Sequence, residues 1–152
     1  KKYKLIKIKI CILYTSPKLG DLILQLPFIK AIAKNYKTQV TICINKHINI
    51  KKILEKQPYI GYVIENSFRR GLYFFSDLLE LTDDLKKRKI NCAFVLEKTK
   101  GPVIACRLAG IKTVFGFGIG SQKYFPTEKS VATPPKSPWP RRLTFLPDSS
   151  SL

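Results

Sequence analysis

The fold is decided by the stretch Ile8-Lys9-Ile10-Cys11-Ile12-Leu13-Tyr14-Thr15-Ser16-Pro17-Lys18-Leu19-Gly20-Asp21-Leu22-Ile23-Leu24-Gln25-Leu26-Pro27. Lysines thread through the isoleucines up to Lys9, and the run then becomes continuously apolar to Tyr14. This predicts a strand over 5–14 whose second half is buried on both faces, as in a parallel sheet. A short loop, 15–20, follows. From Asp21 to about Asn35 the residues Leu22, Leu26, Ile29 and Ala33 recur at helical spacing, with Ile23 and Ile32 beside them. Pro27 falls inside that helix, where proline normally costs about 3 kcal/mol. The sequence therefore predicts a kink, or a helix whose first turn is held by the loop.

The same alternation continues outward. Val40–Ile44 reads as a second strand, Ile48–Lys56 as a short helix stopped near Gln57-Pro58, and Gly61–Glu65 as a third strand. A polar loop, 66–71, leads to a helix from about Phe74 to Lys89. Its Asp77, Glu80, Asp83 and Asp84 lie toward the start and Lys86, Lys87, Arg88 and Lys89 at the end, an order that complements the helix dipole. Ala93–Leu96 is a fourth strand, Pro102–Ala109 a helix with Gly110 as its stop, and Thr113–Phe117 a fifth strand. Strands alternating with helices predict an α/β fold, a Rossmann-like doubly wound parallel sheet. Ligands of such sheets sit beyond the C-terminal ends of the strands. The loops 15–21, 66–72, 97–101 and 117–122 are therefore where chemistry is expected.

This domain is expected to occupy 1–125 of the 152 residues. No Ile occurs after Ile119, and six of the ten prolines lie beyond Phe125. The run Thr133-Pro134-Pro135-Lys136-Ser137-Pro138-Trp139-Pro140 cannot continue a helix or a sheet. Residues 126–152 read as an extended or disordered Pro/Ser-rich tail, and the shift in composition fits a truncated or frame-shifted reading of a longer gene. Met is absent even from position 1, which fits a trimmed or incomplete start.

Composition narrows the class. A hydrophobic content of 45% is enough for a real core, so a wholly disordered chain is excluded. No apolar run approaches the roughly 18 residues of a membrane span, and the lysine-threaded start is unlike a signal peptide. The 28 basic and 10 acidic residues give a net charge of +18, which favours anionic partners. Lys (22) far outnumbers Arg (6) and Ile is common, a mixture that an AT-rich coding sequence would also produce. Cys11, Cys43, Cys92 and Cys106 form no CxxC pair and the only His is His47, which argues against zinc. Their apolar neighbours predict buried free thiols, as in a reducing, cytoplasmic compartment.

In the first loop Gly20 permits a sharp turn and Asp21 stands at the helix N-terminus. An Asp here is an N-cap or first-turn acid that complements the dipole. The same position would keep the carboxylate ionised, which suits a general base accepting a proton from a hydroxyl. Phe115-Gly116-Phe117-Gly118-Ile119-Gly120 lacks the following helix and acidic residue of a dinucleotide fingerprint, so no cofactor is expected. A phosphate-binding G-x-x-x-x-G-K-[ST] loop is absent from the sequence. His47 is expected to cap or flank a helix.

The segment Gly20-Asp21-Leu22-Ile23-Leu24-Gln25-Leu26-Pro27-Phe28-Ile29-Lys30-Ala31-Ile32 resembles the one that opens family 9 glycosyltransferases, the lipopolysaccharide heptosyltransferases. Pro58-Tyr59-Ile60-Gly61-Tyr62-Val63-Ile64 is similar to the family's N-P-x-h-D-x-V-h segment. Ala105-Cys106-Arg107-Leu108-Ala109-Gly110-Ile111-Lys112, followed by Phe115-Gly116-Phe117, is similar to its A-R-L-A-G-x-K…x-G-F segment. The resemblance spans about residues 5–125.

It implies the N-terminal, acceptor-side half of a two-domain GT-B enzyme, inverting and metal-independent. Asp21 would be the general base that deprotonates an acceptor hydroxyl as it attacks the anomeric carbon. Ser67-Phe68-Arg69-Arg70 corresponds to the basic loop that contacts acidic acceptor sugars, and a guanidinium pair matches carboxylate or phosphate. Ser16, Lys18 and Gly20 join Arg69 and Arg70 as expected acceptor contacts. The family's acidic-x-Gln-Gly stretch is replaced by Val95-Leu96-Glu97-Lys98-Thr99-Lys100-Gly101, where Lys98 and Lys100 are left to bind an anionic acceptor.

The implied donor is a nucleotide-sugar such as ADP-heptose, bound by a C-terminal domain that these residues lack, so the isolated chain is expected not to turn over. The implied partner is an anionic glycolipid of the lipid A/Kdo type, reached from the cytoplasmic face of the inner membrane. The alternative is a basic, non-catalytic nucleic-acid-binding module. Against it, Tyr73, Phe74 and Phe75 sit in a helical pattern and lack a stacking-platform motif, so no specific nucleic acid is expected.

Overall fold

The computed structural model describes residues 7–116. Phe117, the loop 117–122 and the tail 126–152 lie outside the described residues. Five parallel strands form one sheet in the order β3-β2-β1-β4-β5: β1 (Ile10–Tyr14), β2 (Val40–Ile44), β3 (Ile60–Glu65), β4 (Cys92–Val95) and β5 (Thr113–Phe115). The helices are α1 (Leu19–Tyr36), α2 (Lys51–Leu54), α3 (Tyr73–Lys87) and α4 (Lys100–Leu108), with a 3-10 turn over Lys46–Ile48. The chain thus builds outward from β1 to β3, crosses the sheet through α3, and restarts at β4 on the other side of β1. This is the doubly wound α/β, Rossmann-like fold that the alternation predicts.

Successive residues of a strand face opposite sides, and β1 shows why its run is apolar throughout. Cys11 and Leu13 join Leu78, Leu81, Leu85, Val103 and Cys106 in the core under α3 and α4. Ile10, Ile12 and Tyr14 join Leu22, Ile29, Ile32 and Leu54 under α1 and α2. All four cysteines are buried and free.

Helix α1 begins at Leu19, two residues earlier than its spacing predicts, and runs without interruption to Tyr36. Lys18 is its N-cap, and Asp21 sits in the first turn. Gly20 lies inside that turn without a positive φ, so no sharp bend depends on it. The helix also continues through Pro27. Burial of Leu22, Ile29, Ile32 and Ala33 against the sheet, each worth about 1.5–3 kcal/mol for a large apolar side chain, outweighs the proline's cost of about 3 kcal/mol.

Two more expectations shift. The predicted helix 48–56 contracts to the 3-10 turn and the short α2. Helix α4 starts at Lys100 rather than Pro102, because a proline is tolerated throughout a first turn, whose N–H groups have no intrahelical acceptor. Its end is as predicted: Gly110 takes φ +75°. Gly110 N–H bonds the Arg107 carbonyl at 2.9 Å and Ile111 N–H the Cys106 carbonyl at 3.0 Å, a Schellman stop.

Candidate functional site

All strands being parallel, their C-terminal ends lie along one edge, and the loops that leave them meet there. An open cleft of about 810 Å3 lies at this edge, lined by segments 15–17, 67–71 and 99–101 together with Asn45, His47, Phe74 and Glu97. It includes the point where the strand order reverses, between β1 and β4, the usual ligand position in such sheets.

Its floor is polar and tightly connected. Glu97, 7% exposed just after β4, accepts hydrogen bonds at Oε1 from both the backbone N–H and the hydroxyl of Thr15, each 2.6 Å long. Asn45 Nδ2 donates to the Thr15 carbonyl at 2.8 Å, and Asn45 Oδ1 accepts from the His47 N–H at 2.9 Å. His47 therefore flanks a 3-10 turn that Asn45 caps. One residue, Thr15, is held by the loops after β2 and β4 at once.

One wall is the loop after β3. Arg69 folds back onto Asp77, one turn into α3: its backbone N–H donates to Oδ2 at 2.8 Å, and its Nε and Nη2 reach the two carboxylate oxygens, Nη2 to Oδ1 at 2.7 Å. The guanidinium also lies 4.7 Å from the Tyr73 ring centroid. Hydrogen bonding from Arg69 holds the Asp77 carboxyl below the usual carboxylate range. The acids read as complementing the start of this helix are not in its first turn; the buried Asp77 instead shapes the loop. Asn66 Nδ2 bonds the Asp77 carbonyl at 3.0 Å, while Asn66 Oδ1 and Ser67 Oγ are buried with no hydrogen-bond partner among the described residues.

The opposite wall is the start of α4. Gly101 leaves room there for the Phe68 ring: a Cβ would lie 2.8 Å from Phe68 Cδ1 and Cε1 and push the ring aside. Phe68 in turn packs on Phe74 with ring centroids 5.6 Å apart.

Of the residues singled out from the sequence, Ser16, Arg69, Arg70 and Lys100 line the cleft. Lys18, Gly20, Asp21 and Lys98 do not; all four are exposed, Lys18 and Lys98 on the loops after β1 and β4 and Gly20 and Asp21 in the first turn of α1. Asp21 lies next to Tyr14, whose hydroxyl donates to the Lys18 carbonyl at 3.3 Å. Burial pushes the Tyr14 hydroxyl upward in pKa, the Asp21 and Glu97 carboxylates add to this, and a hydrogen bond with Ser16 opposes it. Sequence reasoning missed Thr15, Asn45, Glu97 and Asp77 as site-builders. For the first three the available signal was a polar residue directly after the apolar run of β1, β2 and β4; Asp77, inside α3, carried none.

Among the described residues no group of three or more His, Cys, Asp or Glu is placed to hold a metal ion. No described helix is long and apolar enough to cross a membrane.

Solved structures share this fold. The ADP-heptose LPS heptosyltransferase II of E. coli superposes with a TM-score of 0.58 over 72% of this chain at 15% identity. A glycosyl transferase of family 9 from Veillonella parvula DSM 2008 gives 0.57 over 75% at 20% identity. The chain spans about a third of these proteins, 30% and 33% of their lengths. The likeness establishes the Rossmann-like fold. No family model matches the sequence, and no curated protein matches it.

Proposed function

We propose that this chain is the acceptor-side domain of a heptosyltransferase-like glycosyltransferase, which moves a sugar from a nucleotide-sugar such as ADP-heptose to an anionic lipopolysaccharide-core acceptor. The observation that carries this reading is the cleft itself. In a fold shared with two glycosyltransferases, it brings Ser16, Arg69, Arg70 and Lys100 together at the carboxyl edge of the sheet.

Each residue has a defined task. Arg70 and Lys100 offer charge to phosphate or carboxylate groups of the acceptor. Arg69 is partly committed to Asp77, so its main contribution is to fix the loop that presents Arg70. Ser67 Oγ, buried and without a partner among the described residues, suits a sugar hydroxyl. Asp21 is the general base. It takes the proton from the acceptor hydroxyl as that oxygen bonds the anomeric carbon and the nucleotide diphosphate leaves from the opposite face, inverting the centre. Donor binding is assigned to a second, C-terminal domain, and the setting to the cytoplasmic face of the inner membrane, where the lipid A/Kdo type of acceptor lies.

Acceptor binding by the chain itself tests this reading. Calorimetry should detect a Kdo-containing lipid A analogue and much weaker uptake of a neutral glycolipid of the same chain length. Equal affinity for both would remove the proposed acceptor class.

A further inference from the structure

A second cavity, of about 510 Å3, opens at the other edge of the sheet, where the strands begin and where α1 and α3 end. Five cationic side chains line it, those of Lys7, Lys9, Lys37, Lys87 and Arg88, and among the described residues no carboxylate does. Part of this charge has a local explanation. Lys37 and Arg88 are the C-caps of α1 and α3, and a helix C-terminus carries roughly half a negative charge. Lys87 pairs with Asp83 at 2.6 Å. Together the two helix ends and Asp83 offset about two of the five cations, leaving roughly three positive charges around one concavity.

Two features show a concavity that is already formed. The Arg88 guanidinium lies 3.2 Å from the Tyr62 ring centroid, and its Nε is buried with no hydrogen-bond partner among the described residues. Lys9 Nζ bonds the Arg88 carbonyl at 3.2 Å and helps fix the turn that carries it. Across the cavity Val40 pairs with Ile60 but Thr41 with Tyr62, so Gly61 falls out of register. A Cβ on Gly61 would stand 3.1 Å from Gln39 Cβ and 3.3 Å from Gln39 Oε1. Gln39 is held there by its own bond to the Pro58 carbonyl at 3.0 Å.

We infer that this cavity binds a phosphate-bearing small anion, at a site separate from the cleft and independent of the transferase reading. Its volume falls within the usual range for small-molecule sites, about 300–1,000 Å3. A guanidinium already stacked on an aromatic ring loses little freedom on binding. The surrounding lysines supply point charges suited to a diphosphate, and Thr38, Gln39 and Thr41 add polar groups, with only Ile10 and Ile90 as large apolar neighbours among the described residues.

The test uses the 152-residue chain and two probes at fixed ionic strength: sodium pyrophosphate by calorimetry, and phosphatidic acid vesicles by co-sedimentation. Lys9→Gln and Lys37→Asn each remove a lining charge; Asn tolerates the left-handed backbone at 37, where φ is 51°. Lys30→Gln, on the exposed face of α1, is the control. The expected result is saturable pyrophosphate binding, weakened about tenfold in each cavity variant and unchanged in the control. Pyrophosphate binding without vesicle binding identifies a free anion. Vesicle binding that falls with the same two variants identifies a lipid-borne phosphate. No binding of either probe, or equal loss in Lys30→Gln, overturns the inference.

Discussion

Thr15 and Glu97, 82 residues apart in the chain, are joined by two hydrogen bonds of 2.6 Å that close the crevice between β1 and β4 from below. The pair fixes the loop after β1, and therefore Ser16 and the start of α1, against the strand that opens the second half of the sheet.

Removing the acceptor should loosen the site and the fold together. Glu97→Ala leaves both Thr15 donors without Oε1 in a buried place, and an unsatisfied buried group costs about 1–3 kcal/mol. Glu97→Gln keeps an oxygen in the same position and should retain most of the stability. Urea denaturation of the three forms checks this order. Equal midpoints for the Ala and Gln variants would show that the bonds hold nothing.

The Arg69–Asp77 pair should appear in the acid limb of stability. Asp77's folded value lies below the ordinary carboxylate value, so the unfolded chain takes up this proton first as pH falls. The contribution is full above about pH 4, the unfolded value, and is lost as pH drops through the folded one. Asp77→Asn should be less stable at neutral pH and show a flatter acid limb in thermal scans from pH 7 to 2.

Arg70 should matter for binding more than for folding. It is exposed on the cleft wall, whereas Arg69 is tied to Asp77. Arg70→Ala should weaken an anionic acceptor by about tenfold or more, since a hydrogen bond to a charged group is worth roughly 1.5–3 kcal/mol. Its thermal midpoint should stay that of the parent. Arg69→Ala should lose both affinity and midpoint, and calorimetry beside thermal scans separates the two.

The thiols give an independent check of the core. Burial pushes Cys92 up to about 11, Cys106 to about 12, and Cys11 and Cys43 well above the ordinary thiol value. None should react with a thiol-modifying disulfide at pH 8 in the folded chain, and all four should react in denaturant. The stability linked to these thiols is full below about pH 8.5, where an unfolded thiol begins to ionise. It should fall as pH rises toward the folded values.

Much of this architecture is legible in the sequence because burial on two faces writes itself as unbroken apolar runs. Ile10-Cys11-Ile12-Leu13-Tyr14 and Val40–Ile44, the latter interrupted only by Thr41, announce parallel strands, and Gly110 marks a helix end with the residue that φ +75° demands. Helix starts are less legible. Lys18 is not a capping residue type, which hides the start of α1, and at α4 Pro102 masks the signal of Thr99, which makes no side-chain cap bond. The site is legible in part, at Ser16, Arg69, Arg70 and Lys100. Asp77 reads as a solvated helical acid until the loop folds back on it, and Glu97 as a departure from a family pattern until Thr15 is seen beside it. Such pairings depend on which loops the sheet order brings together, and no local spacing encodes that.

The proposed role of Asp21 as the base of a sugar transfer is tested by the transfer rate of Asp21→Asn. The rate is measured in a chimera joining this chain to the donor-binding half of a family 9 transferase, and compared with that of the parent chimera. Asn keeps the size and the hydrogen-bonding oxygen at the first turn of α1, so the thermal midpoint should stay close to that of the parent. Turnover should fall by about 10²–10⁴ because Asn accepts no proton from the attacking hydroxyl. Parent-level transfer by the Asn variant would rule out that role and leave Asp21 as an acid serving only its helix.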